Sequence, residues 1–212
     1  MSTPDPQLVE AFSRVIHYVV SQSALTAAEI KNVEDSASRV AKGFMEMVMP
    51  KDQLVAELRK NWASKFPRDG NEDVPIIEGP IFTSGLCPHH LLPIVNKVWY
   101  GYLASRNQDV LGLSKFVRVA QLMARRATIQ EQYTVELAKL ISTGRILTKL
   151  GDEGFILIGE AISPSAAVYV EAEHMCMACR GVRSQAHTHT SYFTGVFMEP
   201  VYQNIFWNMV KK

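Results

Sequence analysis

No stretch of the 212-residue sequence approaches the roughly 20 consecutive apolar residues that a membrane-spanning helix needs. The N-terminus lacks a basic region ahead of an apolar run and carries Asp5 and Glu10 instead, which is not the pattern of a secretory signal. Excess charge is also missing. The formal net charge is +1, so the molecule as a whole has no electrostatic reason to bind nucleic acid or an acidic membrane, and any anion site must be a local cluster. There is no G-x-x-x-x-G-K-[ST] segment, which excludes a P-loop nucleotide site. Cysteine is scarce. Cys87, Cys176 and Cys179 are an odd set, which argues for thiols used for something other than disulfides and for a cytoplasmic compartment.

What is present is ordinary globular material, 47% hydrophobic and 20% charged. Leu8, Phe12, Val15, Ile16 and Val19 recur at helical spacing, as do Ile30, Val33, Ala37, Val40, Ala41, Phe44 and Val48. These predict helices over 6–22 and 26–49, the second ended by Pro50, with a third over 51–65. The polar, turn-rich stretch 67–75 reads as a linker, dividing an N-terminal helical region (1–70) from the remainder (71–212). Apolar-rich runs at 92–103, 166–177 and 189–198 predict strands. Between them, Leu113, Phe116, Val117, Ala120, Met123 and Ala124 mark one helix face, and Ile129, Tyr133, Leu137, Leu140 and Ile141 another. Strands around a helix pair predict an α+β fold, with helices laid on one face of an antiparallel sheet. Arg125 and Arg126 read as a solvated basic face.

Two segments carry chemistry. Cys87-Pro88-His89-His90 puts a thiol and an imidazole three positions apart, and Glu173-His174-Met175-Cys176-Met177-Ala178-Cys179-Arg180 supplies two more sulfurs. Zinc takes Cys sulfur and His nitrogen in a tetrahedron. Cys87, His90, Cys176 and Cys179 together would make a closed structural site. Cys87, His90 and Cys176 alone would leave a fourth position for solvent, as catalysis requires. Spacing does not choose between them and by itself leans to the closed site.

The segments 87–103, 110–134, 170–185 and 188–197, with SASRVAK at 36–42, resemble the signatures of the GTP cyclohydrolase I family, in the same order. The resemblance implies a tunnelling fold preceded by N-terminal helices. It implies a homo-oligomer, a decamer of two stacked rings with active sites between subunits. It also implies zinc on Cys87, His90 and Cys176, with Cys179 outside the ligand set. By the same resemblance, His89 and His174 handle protons near guanine N7 and C8, and Gln130 and Glu131 recognise guanine. Ser114, Lys115, Arg118, Arg180, Arg39 and Lys42 hold the triphosphate. The implied reaction is hydrolysis of GTP to formate and 7,8-dihydroneopterin 3'-triphosphate. The alternative is a divergent member that binds a guanine nucleotide, or another purine or pterin, around a structural zinc. The chain departs from the family pattern at Pro88, usually Glu, and at Gly85, usually Ser. Its 143–165 connection is longer, and its 184–188 loop is shorter, with Ala186 near a usual serine.

Overall fold

The computed structural model describes residues 3–106, 108–149 and 152–211, which form two compact units, Met1–Met49 and Pro50–Lys212. No helix among the described residues is long and apolar enough to cross a membrane.

The first unit holds α1 (Pro6–Gln22), α2 (Ala27–Glu34) and α3 (Ser36–Met47). Asp5 caps α1 by accepting from the Gln7 amide, and Pro6 occupies the first turn, where its missing N–H costs nothing. Thr26 and Glu29 form a reciprocal capping box at the start of α2. The single helix expected over 26–49 is in fact two. Asp35 breaks it by leaving helical geometry at ψ 8°, serving as the C-cap of α2 and the N-cap of α3. Within this unit α3 packs on α1, and the Phe12 and Phe44 rings meet at 5.6 Å.

The second unit runs α4 (Lys51–Trp62), β1 (Lys65–Phe66), β2 (Val74–Leu86), β3 (Pro93–Ala104), β4 (Val110–Leu111), α5 (Leu113–Ala124) and α6 (Gln130–Thr143). It continues with β5 (Arg145–Lys149), β6 (Asp152–Leu157), β7 (Ala166–His174), α7 (Met175–Ala178), β8 (His187–Phe193), a 3-10 turn (Gly195–Met198) and α8 (Pro200–Val210). The central sheet is antiparallel in the order β2-β3-β7-β8. Helices α5 and α6 lie on one face of it, which is the expected α+β arrangement and the tunnelling fold.

That face is built by alternation. Val98, Tyr100 and Tyr102 of β3 and Val168, Val170 and Ala172 of β7 all point toward the helices and are buried. Phe116 of α5 stacks on Tyr100 at 4.1 Å and on Tyr102 at 5.3 Å. Burying one such ring contributes about 1.5–3 kcal/mol. The opposite face is covered at one end by α8, where Phe206, Phe197 and Ala167 are fully buried against Trp99, Tyr169 and Trp207.

Two further features bear on the site. Gly144 ends α6 at φ 68°, and a Cβ there would lie 1.9 Å from the Gly159 carbonyl oxygen, so the turn into the long connection requires glycine. That connection adds a β5–β6 hairpin, so the extra length at 143–165 becomes two short paired strands. The polar stretch before β2 is irregular but tethered, since Arg68 donates to the Ala104 and Glu72 carbonyls.

Candidate metal centre and its surroundings

Cys87 follows directly on β2, and Cys176 sits in α7, the single helical turn that follows β7. Both strands flank β3, with Leu86 paired to Pro93 and Ile94 paired to His174. The ends of β2 and β7 are thereby held on either side of the start of β3. A tight turn brings in the third group: the Leu91 amide donates to the Cys87 carbonyl, the Cys87 amide donates to the Leu92 carbonyl, and Leu91 adopts φ 53°. The Cys87 and Cys176 sulfurs and a His90 ring nitrogen all lie within 4.8 Å of one another.

The group fits a zinc ion. Cys87 Sγ lies 3.5 Å from His90 Nδ1. Donors about 2.3 Å (sulfur) and about 2.0–2.1 Å (nitrogen) from one ion, set at the tetrahedral angle, stand roughly 3.5 Å apart. Burial pushes the Cys176 thiol up, as do its hydrogen bond to Cys87 and the charge on that sulfur, while the Arg180 guanidinium pulls the other way. The Cys87 sulfur opposes ionisation of the Cys176 thiol, and a bound cation removes that conflict. Cys179 stands outside the group. It is exposed, and its thiol donates to the Met175 carbonyl at 2.7 Å.

Beside this group lies His174, the last residue of β7. Its Nε2 is 2.9 Å from Gln130 Oε1, on the first residue of α6. Gln130 is buried, and its amide nitrogen donates to the Val170 carbonyl at 3.2 Å, the Thr188 carbonyl at 3.0 Å and Thr190 Oγ1 at 3.1 Å. Carbonyls only accept, so the amide cannot be flipped, and Oε1 must face the histidine. His174 therefore carries its proton on Nε2 and leaves the Nδ1 lone pair available. Burial lowers the His174 pKa, partly offset by the nearby Glu131 carboxylate.

Glu131 is exposed in the first turn of α6, beside Gln130. His89 is exposed on the turn, its ring centroid 6.2 Å from that of His90. Arg180 follows α7, close enough for its charge to act on Cys176. These residues share the metal end of the sheet.

Ser114, Lys115 and Arg118 do not. Helix α5 starts at the other end, where the Gly112 amide donates to the Ser64 carbonyl. It finishes at the metal end, where Leu86 bridges to Ala127 and a Cβ on Gly85 would come within 2.7 Å of the Ala124 carbonyl. Gly85 is thus what lets the helix end approach the strand. Ser114 and Ala124 are about 15 Å apart along the axis. Arg39 and Lys42 lie on α3 in the N-terminal unit, Arg39 donating to the Asn32 carbonyl and to Ser36 Oγ.

Arg126 departs from its sequence reading. Instead of facing solvent it is ion-paired with buried Glu136, and it also donates to the Met123 carbonyl at 3.2 Å. Gln132 donates to the other oxygen of the same carboxylate at 2.8 Å. The acidic partner ten positions on, Glu136, was the available signal, but i to i+10 is no neighbour spacing within a helix. The threonines around Gln130 carry no local sequence signal. Thr190 donates on to Thr134, whose hydroxyl donates to the Gln130 carbonyl and closes a ring of polar contacts.

Comparison with known proteins agrees with this geometry. Residues 22–211 match the family model described as GTP cyclohydrolase I. The GTP cyclohydrolase 1 of Sinorhizobium fredii is 33% identical over 184 residues, covering 85% of this chain and 79% of that protein. The Enterococcus faecalis protein of the same name is 37% identical over 173 residues, covering 81% of each. The human one is 38% identical over 133 residues, 62% of this chain and 46% of its own length. A match spanning nearly the whole second unit, on a sheet that brings two cysteines and a histidine together, places the chain in the GTP cyclohydrolase I family.

Proposed function

We propose that this chain is a GTP cyclohydrolase I that hydrolyses GTP to formate and 7,8-dihydroneopterin 3'-triphosphate. One observation carries the reading: two sulfurs and an imidazole nitrogen converge within 4.8 Å, next to a second imidazole whose proton is located by its partner. Cys87, His90 and Cys176 are the zinc ligands in this reading. When bound, the ion supplies Lewis acidity, which brings the pKa of coordinated water from 15.7 to about 7.

The chain's own residues do the rest. Burial lowers the His174 pKa, and the ring holds its Nε2 proton on Gln130, so Nδ1 is the atom that takes up a proton. His89, exposed on the neighbouring turn, suits proton delivery toward guanine N7. The Glu131 carboxylate offers two acceptor oxygens to guanine N1–H and the exocyclic amine. Gln130 belongs to the same guanine end and acts there through its hold on His174. The triphosphate is assigned to Ser114, Lys115, Arg118, Arg180, Arg39 and Lys42. An anion at the start of α5 also gains from the unpaired amides and dipole of that helix.

The placement of Ser114, Lys115 and Arg118 at the far end of α5 supports a site completed by another copy. A homo-oligomer, a decamer of two stacked rings, meets that need. The test is incubation of zinc-loaded protein with GTP. Formate and a fluorescent pterin appear together if the assignment holds, and unchanged GTP would end it.

A further inference from the structure

Cys179 takes no part in the site as described, yet it stands three residues from a sulfur that does. Both lie in one helical turn: Cys176 is inside α7, and Cys179 caps it with helical backbone angles, φ −97° and ψ −13°. Residues three apart on a helix have Cα atoms about 5 Å apart, inside the roughly 4.4–6.8 Å range that a disulfide spans. They also share a helix face. The Cys179 thiol folds back along that face to the Met175 carbonyl, at 2.7 Å, rather than pointing away. Exposure separates the pair. Cys179 is exposed, Cys176 is half-buried, and Cys87 is buried. A small oxidant therefore meets Cys179 first.

We propose that Cys176 and Cys179 form a redox-sensitive pair, in which a hydroperoxide-class oxidant closes a disulfide and withdraws Cys176 from the metal centre. In the first step the Cys179 sulfur attacks one peroxide oxygen. The O–O bond breaks, a sulfenic acid forms, and the other oxygen leaves as water with the thiol proton. In the second step the Cys176 sulfur attacks the sulfenic sulfur. The S–S bond forms, the S–O bond breaks, and the hydroxyl leaves as a second water with a proton from solvent, because metal-bound Cys176 is a thiolate and gives up the zinc ion instead of a proton. Two thiols are oxidised by two electrons, and one hydrogen peroxide is reduced to two waters. A dithiol reductant reverses the bond by exchange. Cys87 is the competing partner for Cys176, but its burial beneath the turn keeps it from the oxidant, so the two-step route runs through Cys179.

The proposal rests on Cys176 being a metal ligand, and the experiment separates the two ideas. Zinc-loaded protein is treated with hydrogen peroxide, alkylated and digested with trypsin. Cys176 and Cys179 fall in the single tryptic peptide 150–180, and Cys87 falls in 69–97. Closure of the pair appears as a loss of two hydrogens within 150–180, restored by dithiothreitol. Zinc release is followed in parallel with a chromogenic chelator. Cys179→Ser is expected to bind zinc and turn over GTP as the parent does, while peroxide-driven zinc release slows about tenfold or more. A cross-link joining 69–97 to 150–180, or equal zinc release from parent and Cys179→Ser, overturns the pair. A closed pair in a protein that never bound zinc overturns the metal assignment instead.

Discussion

Cys87 and Cys176 follow strands that do not pair with each other, and they meet because β3 lies between those strands. The metal group is therefore a product of sheet register. A shift of one residue in either pairing would carry one sulfur about 3.3 Å along the sheet from the other.

Removing either sulfur should dismantle the centre. Cys87→Ala and Cys176→Ala are each expected to lower zinc affinity by more than about 100-fold and to abolish formate release. Cys179→Ala should do neither. Zinc content after dialysis and zinc-edge X-ray absorption, which should count two sulfurs, check this. A count of three would restore the closed site.

The Gln130–His174 contact predicts a tautomer. Nitrogen-15 NMR should show the His174 proton on Nε2 in the parent protein. Gln130→Leu removes the acceptor at 2.9 Å, so the ring loses that constraint and kcat should fall about 100-fold, the low end of what a proton-transfer group contributes. Zinc content should be unchanged. A variant with full kcat would remove Gln130 from the machinery.

Arg126→Met should leave the Glu136 carboxylate, only 5% exposed, without its cation. Breaking a buried pair on one side costs about 3–5 kcal/mol, whereas replacing both partners with apolar groups is often close to neutral. Arg126→Met should therefore lower the urea midpoint markedly, and Arg126→Met with Glu136→Leu should recover most of it. Equal losses would mean that the pair contributes little.

Glu171 gives a pH signature. The hydrogen bond from Lys97 holds its carboxyl below the ordinary 4.5, with a further hydrogen bond from His187. A carboxyl lowered on folding adds stability above its unfolded value, and that stability is lost as pH falls through the folded one. Glu171→Gln should thus melt below the parent at pH 6, and the two Tm values should converge as pH drops beneath 4.5. A gap that persists at pH 3 would point to lost packing instead.

The strongly periodic parts of this fold are readable in the sequence. Helix α1 falls on its expected span, and α5 and α6 bury most of their expected faces, although Leu113 and Ile129 at their N-terminal ends are exposed and Val119 joins the buried side. Strand β2 was not legible, because Pro75, Gly79-Pro80 and Gly85 interrupt the run in the way a loop would. The chain absorbs them with an irregularity in register between Glu78 and Ile81. Apolar content alone carries the expected strand past His174 to residue 177, into α7, which begins at Met175, and extends the last one to 198, through what is a 3-10 turn. Helix α8 also has no expected counterpart, since its apolar residues, Val201, Ile205, Met209 and Val210 among them, surround Asn204 and Asn208 and blur the periodic stripe. The ligand residues were named from spacing and resemblance, and the register of β2, β3 and β7 brings Cys87 and Cys176 together, while the turn of α7 leaves Cys179 exposed on the Met175 carbonyl. Arg126 and the threonine ring around Gln130 depend on tertiary neighbours that no local pattern encodes.

Helix α5 carries its basic residues at one end and closes on the metal turn at the other. If the site is completed by another copy as proposed, a chain crippled at Lys115 and a chain crippled at Cys87 are damaged in different halves of it. Two inactive proteins, unfolded together and reassembled, should yield some sites that draw an intact half from each parent. Activity reborn from that mixture is the genetic signature of a centre owned by no single polypeptide.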